Sequence, residues 1–407
     1  MNSTEFLPDA ALPLGFQFAA VKAGLKVSGR IDFACIVAAE GTSAAGMFTA
    51  NRVIAAPLIV DKIHLTRTAG HMRVVVANAG NANCATGEAG LDAAKNVCGA
   101  AAEVFGCQDY EVFPSSTGII GVPLQAEKLI AALPQLKSVL RSSAADLQQF
   151  ALAIMTTDTR EKFAAATLEV DGKLVRIVAV GKGSGMIHPQ LVPHATMLVY
   201  VLTDARVEAA ALNGFLQKAV DVSLNRISVD GDTSTNDTVL LLASGASGAT
   251  VNETSAAAFQ HALTEVCTSM AKQVVADGEG VTHVVELEIE GAPTDADALK
   301  VAKAIAHSPL VKTSWAGTDP NWGRLLSATG ASGVAIDPAK IDVWFGNLEI
   351  CRNGGRSPHF DGAAAHEYLT QREFRIRMNL GIGEGMCRFW TTDLTTEYIH
   401  INADYST

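Results

Sequence analysis

The chain has 407 residues, of which 48% are hydrophobic and 18% are charged, with 35 glycines and a formal net charge of −11. This length and composition predict a tightly packed α/β protein and exclude a disordered chain or a small binding module. The negative charge argues against a general nucleic-acid surface, and no stretch approaches the roughly 18 uninterrupted apolar residues of a membrane span.

The cysteines and histidines follow no metal-binding or disulfide pattern. The seven cysteines are an odd number without a CxxC pair, and the ten histidines form no HxxxH motif. We therefore expect reduced thiols, no metal and no cofactor. The first residues show neither the basic nor the apolar region of a secretory signal. These features favour a cytoplasmic protein that acts on small molecules.

The first third of the chain predicts strands that run into polar loops. A strand over Met72–Asn78 is followed by the loop AGNANCATGEAG and a helix over Leu91–Phe105. The residues favour a plain connection in which Asn78, Asn81 and Asn83 cap backbone groups. A hydroxyl-rich turn at Ser115–Gly118 can point a backbone N–H into a cavity as part of an oxyanion hole, although most turns of this kind have no such role.

Two helices, over about 125–134 and 144–155, lead to a polar segment that begins at Met155. From the residues alone, Thr156 and Thr157 of this segment are solvated polar groups at a helix end. Strands over 165–171 and 174–180 flank Asp171-Gly172, a strong hairpin signal. The hairpin leads directly into the most informative stretch of the chain.

That stretch, residues 182–205, joins a glycine-rich loop to the strand Thr196–Leu202, which is apolar on both faces and suits a buried position. Thr196 lies at the junction. A threonine hydroxyl is a weak nucleophile, but a backbone break after Ala195 would place an α-amino group, with a pKa of roughly 7.7 to 8, beside it as a base. The stretch alone favours the simpler interpretation that Thr196 only begins a strand.

The later segments predict further α/β structure. A helix over Arg206–Asp221 is followed by ISVDGDTSTND, whose aspartates lack the spacing of a calcium-binding EF-hand and predict a capping network before a strand at 238–243. A helix over about 254–276 ends in a loop with Glu279. A strand from 283, a helix at 294–307 and strands at 341–346 and 384–393 follow. We place a boundary between domains 1–280 and 281–407, and we expect the chain to end on a strand.

Several of these strings, in this order, resemble the ornithine acetyltransferase family. The matching strings are KGSGMI at Lys182–Ile187, ATML at Ala195–Leu198 and TDA at Thr203–Ala205, together with GNAN, DGDTSTND and INADY. The resemblance covers nearly the whole chain. The chain departs from the family pattern in the longer insert QLVPH at residues 190–194.

The resemblance implies the αββα sandwich of N-terminal-nucleophile type with a smaller C-terminal α/β domain. It also implies autocatalytic cleavage between Ala195 and Thr196, which gives an alpha fragment (1–195) and a beta fragment (196–407). Two copies of each fragment would associate as a heterotetramer. The implied activity is acetyl transfer from N2-acetylornithine to glutamate through an acetyl-threonine, as in arginine biosynthesis, and a bifunctional member would also accept acetyl-CoA as donor.

The family's functional residues fall on matching positions of this chain. Thr196 corresponds to the nucleophile, and the Thr117 hydroxyl and Gly118 N–H correspond to the oxyanion hole. The resemblance assigns Lys182 to a substrate carboxylate and Glu279 to a substrate ammonium group. The remaining implied substrate contacts are Thr156, Asn402 and Thr407.

Two other functions are open to the same residues. A hydrolase of the same nucleophile class, an aminopeptidase or amidase of DmpA type, would let water instead of glutamate resolve the acyl-enzyme. A binding or assembly protein would keep the chain uncleaved and Thr196 inert.

Overall fold

The computed structural model describes residues 7–190 and 197–404. Its strands are β1 (Phe16–Val21), β2 (Phe33–Ala38), β3 (Ser43–Phe48), β4 (Val74–Asn81), β5 (Val112–Ile119), β6 (Lys162–Val170), β7 (Lys173–Lys182), β8 (Leu198–Thr203), β9 (Ile227–Ser228), β10 (Thr238–Ala243), β11 (Val284–Ala292), β12 (Asp342–Phe345), β13 (Leu348–Arg352), β14 (Gly355–Arg356), β15 (Glu373–Asn379) and β16 (Gly385–Thr392). Its helices are α1 (Ala56–Arg67), α2 (Gly87–Phe105), α3 (Ala126–Ser138), α4 (Ala144–Ile154), α5 (Ala209–Asp221), α6 (Ala256–Ala276), α7 (Asp295–Ala306), α8 (Pro309–Ala316), α9 (Trp322–Gly330), α10 (Gly362–Leu369) and α11 (Thr396–Asp404). Ala195, Thr196 and Thr407 lie outside the described residues.

Two sheets pack face to face. The first has the order β1-β2-β4-β5 and the second the order β3-β10-β8-β7-β6. Successive side chains of a strand point to opposite faces, so alternate residues of each strand enter the space between the sheets. This inner core joins residues of both sheets and of α4, among them Phe18, Ile36, Val75, Phe150, Val180, Tyr200 and Leu240.

Helices cover the two outer faces. Helices α2 and α3 pack on the first sheet in a cluster that includes Val97, Leu133 and Val76. Helices α5 and α6 pack on the second sheet in a cluster that includes Leu216, Leu263 and Val201. The four layers confirm the predicted αββα sandwich, because each sheet buries one face against its partner and the other against helices.

Strand β8 lies at the centre of the second sheet. It pairs antiparallel with β7 and parallel with β10, and every one of its six residues is buried. Leu198, Tyr200 and Leu202 enter the inner core, while Val199 and Val201 face the helices. Burial on both faces explains why this strand lacks the alternation of apolar and polar residues.

A third sheet, of order β14-β13-β12-β15-β11-β16-β9, follows along the chain. Its own core draws residues from Val285 to Phe389, including side chains of α7, α8, α9 and α10. The short strand β9 joins this sheet by pairing in parallel with β16, so a segment before residue 280 contributes to it. The boundary between residues 280 and 281 stays a prediction.

The last described element is a helix, so the predicted C-terminal strand is wrong. Thr395 precedes α11, and its hydroxyl accepts a hydrogen bond from the Tyr398 backbone N–H at 3.4 Å. A threonine in this position caps a helix start and favours a helix over continued extended backbone. No helix within residues 7–190 and 197–404 is long and apolar enough to cross a membrane.

Candidate active site

One cavity, of about 170 Å³, lies where β8 begins. Met197 and Leu198 line it, and so does every predicted site residue that the structure describes, namely Thr117, Gly118, Thr156, Lys182, Glu279 and Asn402. These residues come from β5, β7, α11 and two loops, so the fold converges five separate segments on one point. A larger cleft between α6 and β16 contains none of them.

The turn with Thr117 and Gly118 is fixed by the neighbouring strand. Strand β5 pairs in parallel with β4, and the register shifts at Gly80 and Asn81 beside Gly118. Gly118 has a φ of 128°, and a Cβ there would lie 2.5 Å from the Gly80 carbonyl carbon. Only glycine fits this position, because other residues would be strained and would collide with the strand.

Asparagine side chains brace the same turn, as the sequence predicts for backbone-capping groups. Asn78 accepts a hydrogen bond from the Ser116 hydroxyl at 2.7 Å and donates to the Asn81 carbonyl at 2.9 Å. Asn236, before β10, donates to the carbonyls of Ser116 at 2.9 Å and Ala82 at 2.5 Å. No local pattern indicates that Asn236 reaches this turn, since it lies 120 residues from Ser116 along the chain.

Lys182 and Thr156 meet on another wall. The Lys182 ammonium donates a hydrogen bond to the Thr156 hydroxyl at 3.2 Å. Burial lowers the pKa of Lys182, and the nearby Asp158 carboxylate partly opposes this shift. A half-buried cation of this kind gains from an anionic partner, so the wall suits a substrate carboxylate.

Glu279 and Asn402 form a third polar wall. The Asn402 amide donates to a Glu279 carboxylate oxygen at 2.8 Å, and the Glu279 backbone N–H donates to the Ser184 carbonyl at 3.2 Å. A Cβ on Gly185 would collide with the Glu279 carboxylate. Gly185 therefore allows the carboxylate to lie against the loop that follows β7.

A buried ion network that sequence reasoning missed holds these walls together. The Lys162 ammonium lies 2.7 Å from an Asp158 oxygen and 2.6 Å from an Asp277 oxygen, and its side chain is 0% exposed. Asp158 also accepts hydrogen bonds from the backbone N–H groups of Gly183 at 2.7 Å and Thr156 at 3.1 Å. The Asp277 carbonyl accepts a hydrogen bond from the Ser184 hydroxyl at 2.7 Å.

The charge on Asp158 depends on this network. Burial alone would raise its pKa, but the Lys162 and Lys182 ammonium groups and the Gly183 N–H lower it to about 2. Because this value lies below the unfolded pKa of roughly 3.9, ionised Asp158 contributes its full stabilisation of the folded state above about pH 3.9. This contribution is lost as the pH falls towards 2. In the sequence, Asp158 and Lys162 resemble an ordinary surface i,i+4 pair, and only the tertiary fold buries them.

The aspartate-rich segment before β10 also contributes to the site. Asp230 accepts hydrogen bonds from the backbone N–H groups of Met186 at 2.7 Å and Ile187 at 2.9 Å, so it caps the loop after β7. Asp237 borders the cavity and is 2% exposed. Within the described ranges, no group of three or more His, Cys, Asp or Glu side chains is arranged to hold a metal ion.

Comparisons with known proteins agree over almost the full chain. A family model described as the ArgJ family matches residues 17–407. The arginine biosynthesis bifunctional protein ArgJ of Ruegeria pomeroyi is 44% identical over 391 residues, which cover 96% of this chain and 94% of that protein. The protein of the same name from Geobacter sulfurreducens is 41% identical over 396 residues, covering 97% of this chain and 99% of its own length.

Among solved structures, the arginine biosynthesis bifunctional protein ArgJ of Bacillus halodurans is similar to this chain. It is 40% identical, covers 51% of this chain and 98% of its own, and superposes with a TM-score of 0.49.

We predict that replacing Lys162 by methionine destabilises the protein by about 3 to 5 kcal/mol, because it leaves two carboxylates buried without their counter-ion. Urea denaturation of wild type and Lys162→Met measures the change in the free energy of unfolding. Lys300→Met, which removes an exposed lysine paired with Asp297, is the matched control and should leave the midpoint nearly unchanged. Equal midpoints for Lys162→Met and wild type would contradict the assigned role of the network.

Proposed function

Because the chain belongs to the ArgJ family, we propose that it transfers an acetyl group from N2-acetylornithine to glutamate, releasing ornithine and forming N-acetylglutamate in arginine biosynthesis. The family assignment rests on the family model and on full-length relatives at 44% and 41% identity. The observation that carries the proposal is the cavity at the start of β8. It gathers the six described residues expected to bind substrate or oxyanion next to Met197, the residue that follows Thr196.

In this proposal Thr196 is the nucleophile. Its hydroxyl attacks the acetyl carbonyl, its α-amino group takes the hydroxyl proton, and the departing ornithine nitrogen receives that proton. The Thr117 hydroxyl and the Gly118 N–H stabilise the oxyanion. Glutamate then attacks the acetyl-threonine ester and regenerates the free hydroxyl. Lys182 pairs with a substrate carboxylate, and Glu279 pairs with a substrate ammonium group. Further substrate contacts come from Thr156, Asn402 and Thr407.

The nucleophile becomes N-terminal when the chain is cleaved between Ala195 and Thr196. Strand β7 lies in fragment 1–195 and strand β8 in fragment 196–407, and the two strands are hydrogen-bonded neighbours from Ile177–Thr203 to Lys182–Leu198. The second sheet therefore contains strands of both fragments, which supports their remaining associated after cleavage. We propose a cytoplasmic heterotetramer of two alpha and two beta fragments.

The relatives are named bifunctional, and we propose that this chain likewise accepts acetyl-CoA as a second acetyl donor. The acetyl-threonine intermediate would be the same, so the second activity needs no additional nucleophile. Acetyl-CoA enters this scheme as a substrate, and the scheme includes no metal or cofactor.

A transfer assay tests the proposed activity. With N2-acetylornithine and glutamate we expect ornithine and N-acetylglutamate in equal amounts, with parallel lines in double-reciprocal plots, because one substrate leaves before the other binds. Thr196→Ala should be inactive. Ornithine and acetate released at the same rate without glutamate would identify a hydrolase of DmpA type, and the absence of any product would favour a binding protein.

We further predict that Thr117→Val lowers kcat by about 10²- to 10³-fold with little change in KM, because a lost oxyanion donor affects mainly the transition state. Steady-state kinetics with N2-acetylornithine and glutamate measure both constants. Thr167→Val, on the exposed side of β6, is the control and should retain wild-type kinetics. A Thr117→Val enzyme with unchanged kcat would remove the Thr117 hydroxyl from the oxyanion hole.

A further inference from the structure

A buried carboxylate that the scheme above does not use borders the cavity. Asp237 is 2% exposed, and its Oδ2 has no hydrogen-bond partner in the described part of the chain. The Ser234 hydroxyl hydrogen-bonds the same carboxyl group. An unsatisfied oxygen on a buried carboxylate is costly. Its retention beside a reaction cavity therefore calls for a function.

The backbone fixes Asp237 between the two parts of the catalytic machinery. The next residue, Thr238, pairs with Leu198 in the parallel β8–β10 ladder, and its N–H donates to the Met197 carbonyl at 2.6 Å. The preceding residue, Asn236, is bonded to the Ser116 carbonyl, next to Thr117. Asp237 thus lies between the start of the nucleophile strand and the oxyanion turn.

The charged groups facing Asp237 set its proton affinity. Burial raises the pKa of Asp237 well above its usual range, and Lys182 at the end of β7 partly opposes this. Glu279, from the loop after α6, is the other charged side chain that lines the cavity within the described ranges. The other lining residues are uncharged, including Thr117, Met197 and Asn402, and they come from β5, the start of β8, α11, the α4–β6 loop, the segments that follow β4, β5 and β7, and the segment before β10. Burial favours the protonated form of a carboxyl group in this setting, so it can act as a proton donor.

Transfer of an acetyl group from one amine to another requires a proton to be added to the first nitrogen and removed from the second. The Thr196 hydroxyl proton accounts for one hydrogen on the departing nitrogen, which would leave as a neutral amine. Glutamate arrives as an ammonium ion and must lose one proton before its nitrogen can attack. One proton therefore has to be given to the first amine and taken from the second.

Building on the proposed function, we propose that Asp237 gives a proton to the first amine and takes one from the second. In the first half-reaction the Asp237 carboxyl group donates its proton to the ornithine nitrogen, which leaves as an ammonium ion while Asp237 becomes a carboxylate. In the second, that carboxylate accepts a proton from the glutamate ammonium group. The neutral nitrogen attacks the acetyl-threonine, and Asp237 is again protonated. Atoms and charge balance over the full cycle.

Two pairs of acetyl donor and acceptor differ in whether they need a proton from Asp237. The ester p-nitrophenyl acetate releases a phenolate that needs no proton, and hydroxylamine is already neutral at the assay pH. We expect Asp237→Asn to lower transfer from N2-acetylornithine to glutamate by about 10²- to 10⁴-fold. The same variant should transfer acetyl from p-nitrophenyl acetate to hydroxylamine within a few-fold of wild type. Asp232→Asn, an exposed carboxylate in the same segment, is the matched control and should behave as wild type with both pairs.

Equal losses with both substrate pairs would overturn the proposal and make Asp237 a structural residue or a partner of Thr196 itself. If the wild-type enzyme transfers no acetyl group with either substrate pair, the proposed function itself is refuted.

A second measurement uses wild type alone, so it stands even where Asp237→Asn fails to fold. For N2-acetylornithine, kcat/KM should fall as rising pH deprotonates Asp237, because the leaving amine then lacks its proton. For p-nitrophenyl acetate the profile should lack this decline. Identical alkaline limbs for the two donors would contradict the role of Asp237.

Discussion

The site depends on one buried cation. Lys162 joins Asp158 and Asp277, and these two carboxylates hold the loop before β6, the end of β7 and the loop after α6 in one arrangement. A buried ion pair adds little stability compared with apolar packing, but breaking it is costly. The network therefore acts as a geometric constraint. It fixes the backbone that carries Thr156, Lys182 and Glu279, none of which lies in a rigid strand interior.

The two packed sheets provide the second half of the site. The first sheet supplies the turn at Gly118, and the second supplies the buried strand β8, which begins beside it. Asn236 bonds across from the second sheet to the Ser116 carbonyl, so the two sheets are joined at this point by hydrogen bonds as well as by apolar packing. A cavity between a glycine-dependent turn and a strand buried on both faces has rigid walls, which suits the proposed positioning of an acyl group.

Local patterns in the sequence were enough to predict the strand 238–243, the hairpin at Asp171-Gly172, the capping role of Asn78 and Asn81, and, through the family resemblance, the αββα layers. The features that local patterns do not predict depend on contacts between residues far apart in the chain. Lys162 and Asp277 are 115 residues apart, so no local pattern indicates their buried ion pair. The C-terminal strand was predicted from residues whose helix is set by the Thr395 cap. Asp237 was assigned only to a capping network, because its burial beside the cavity follows from the pairing of β10 with β8.

The most direct test is intact mass spectrometry with N-terminal sequencing of the freshly purified protein. We expect two fragments that remain associated, the second beginning Thr-Met-Leu-Val at Thr196. That result would establish that the chain is cut where the proposed nucleophile becomes N-terminal. A single chain of 42.6 kDa would contradict the assignment of Thr196 as the nucleophile, since Thr196 would then have no α-amino group to act as its base.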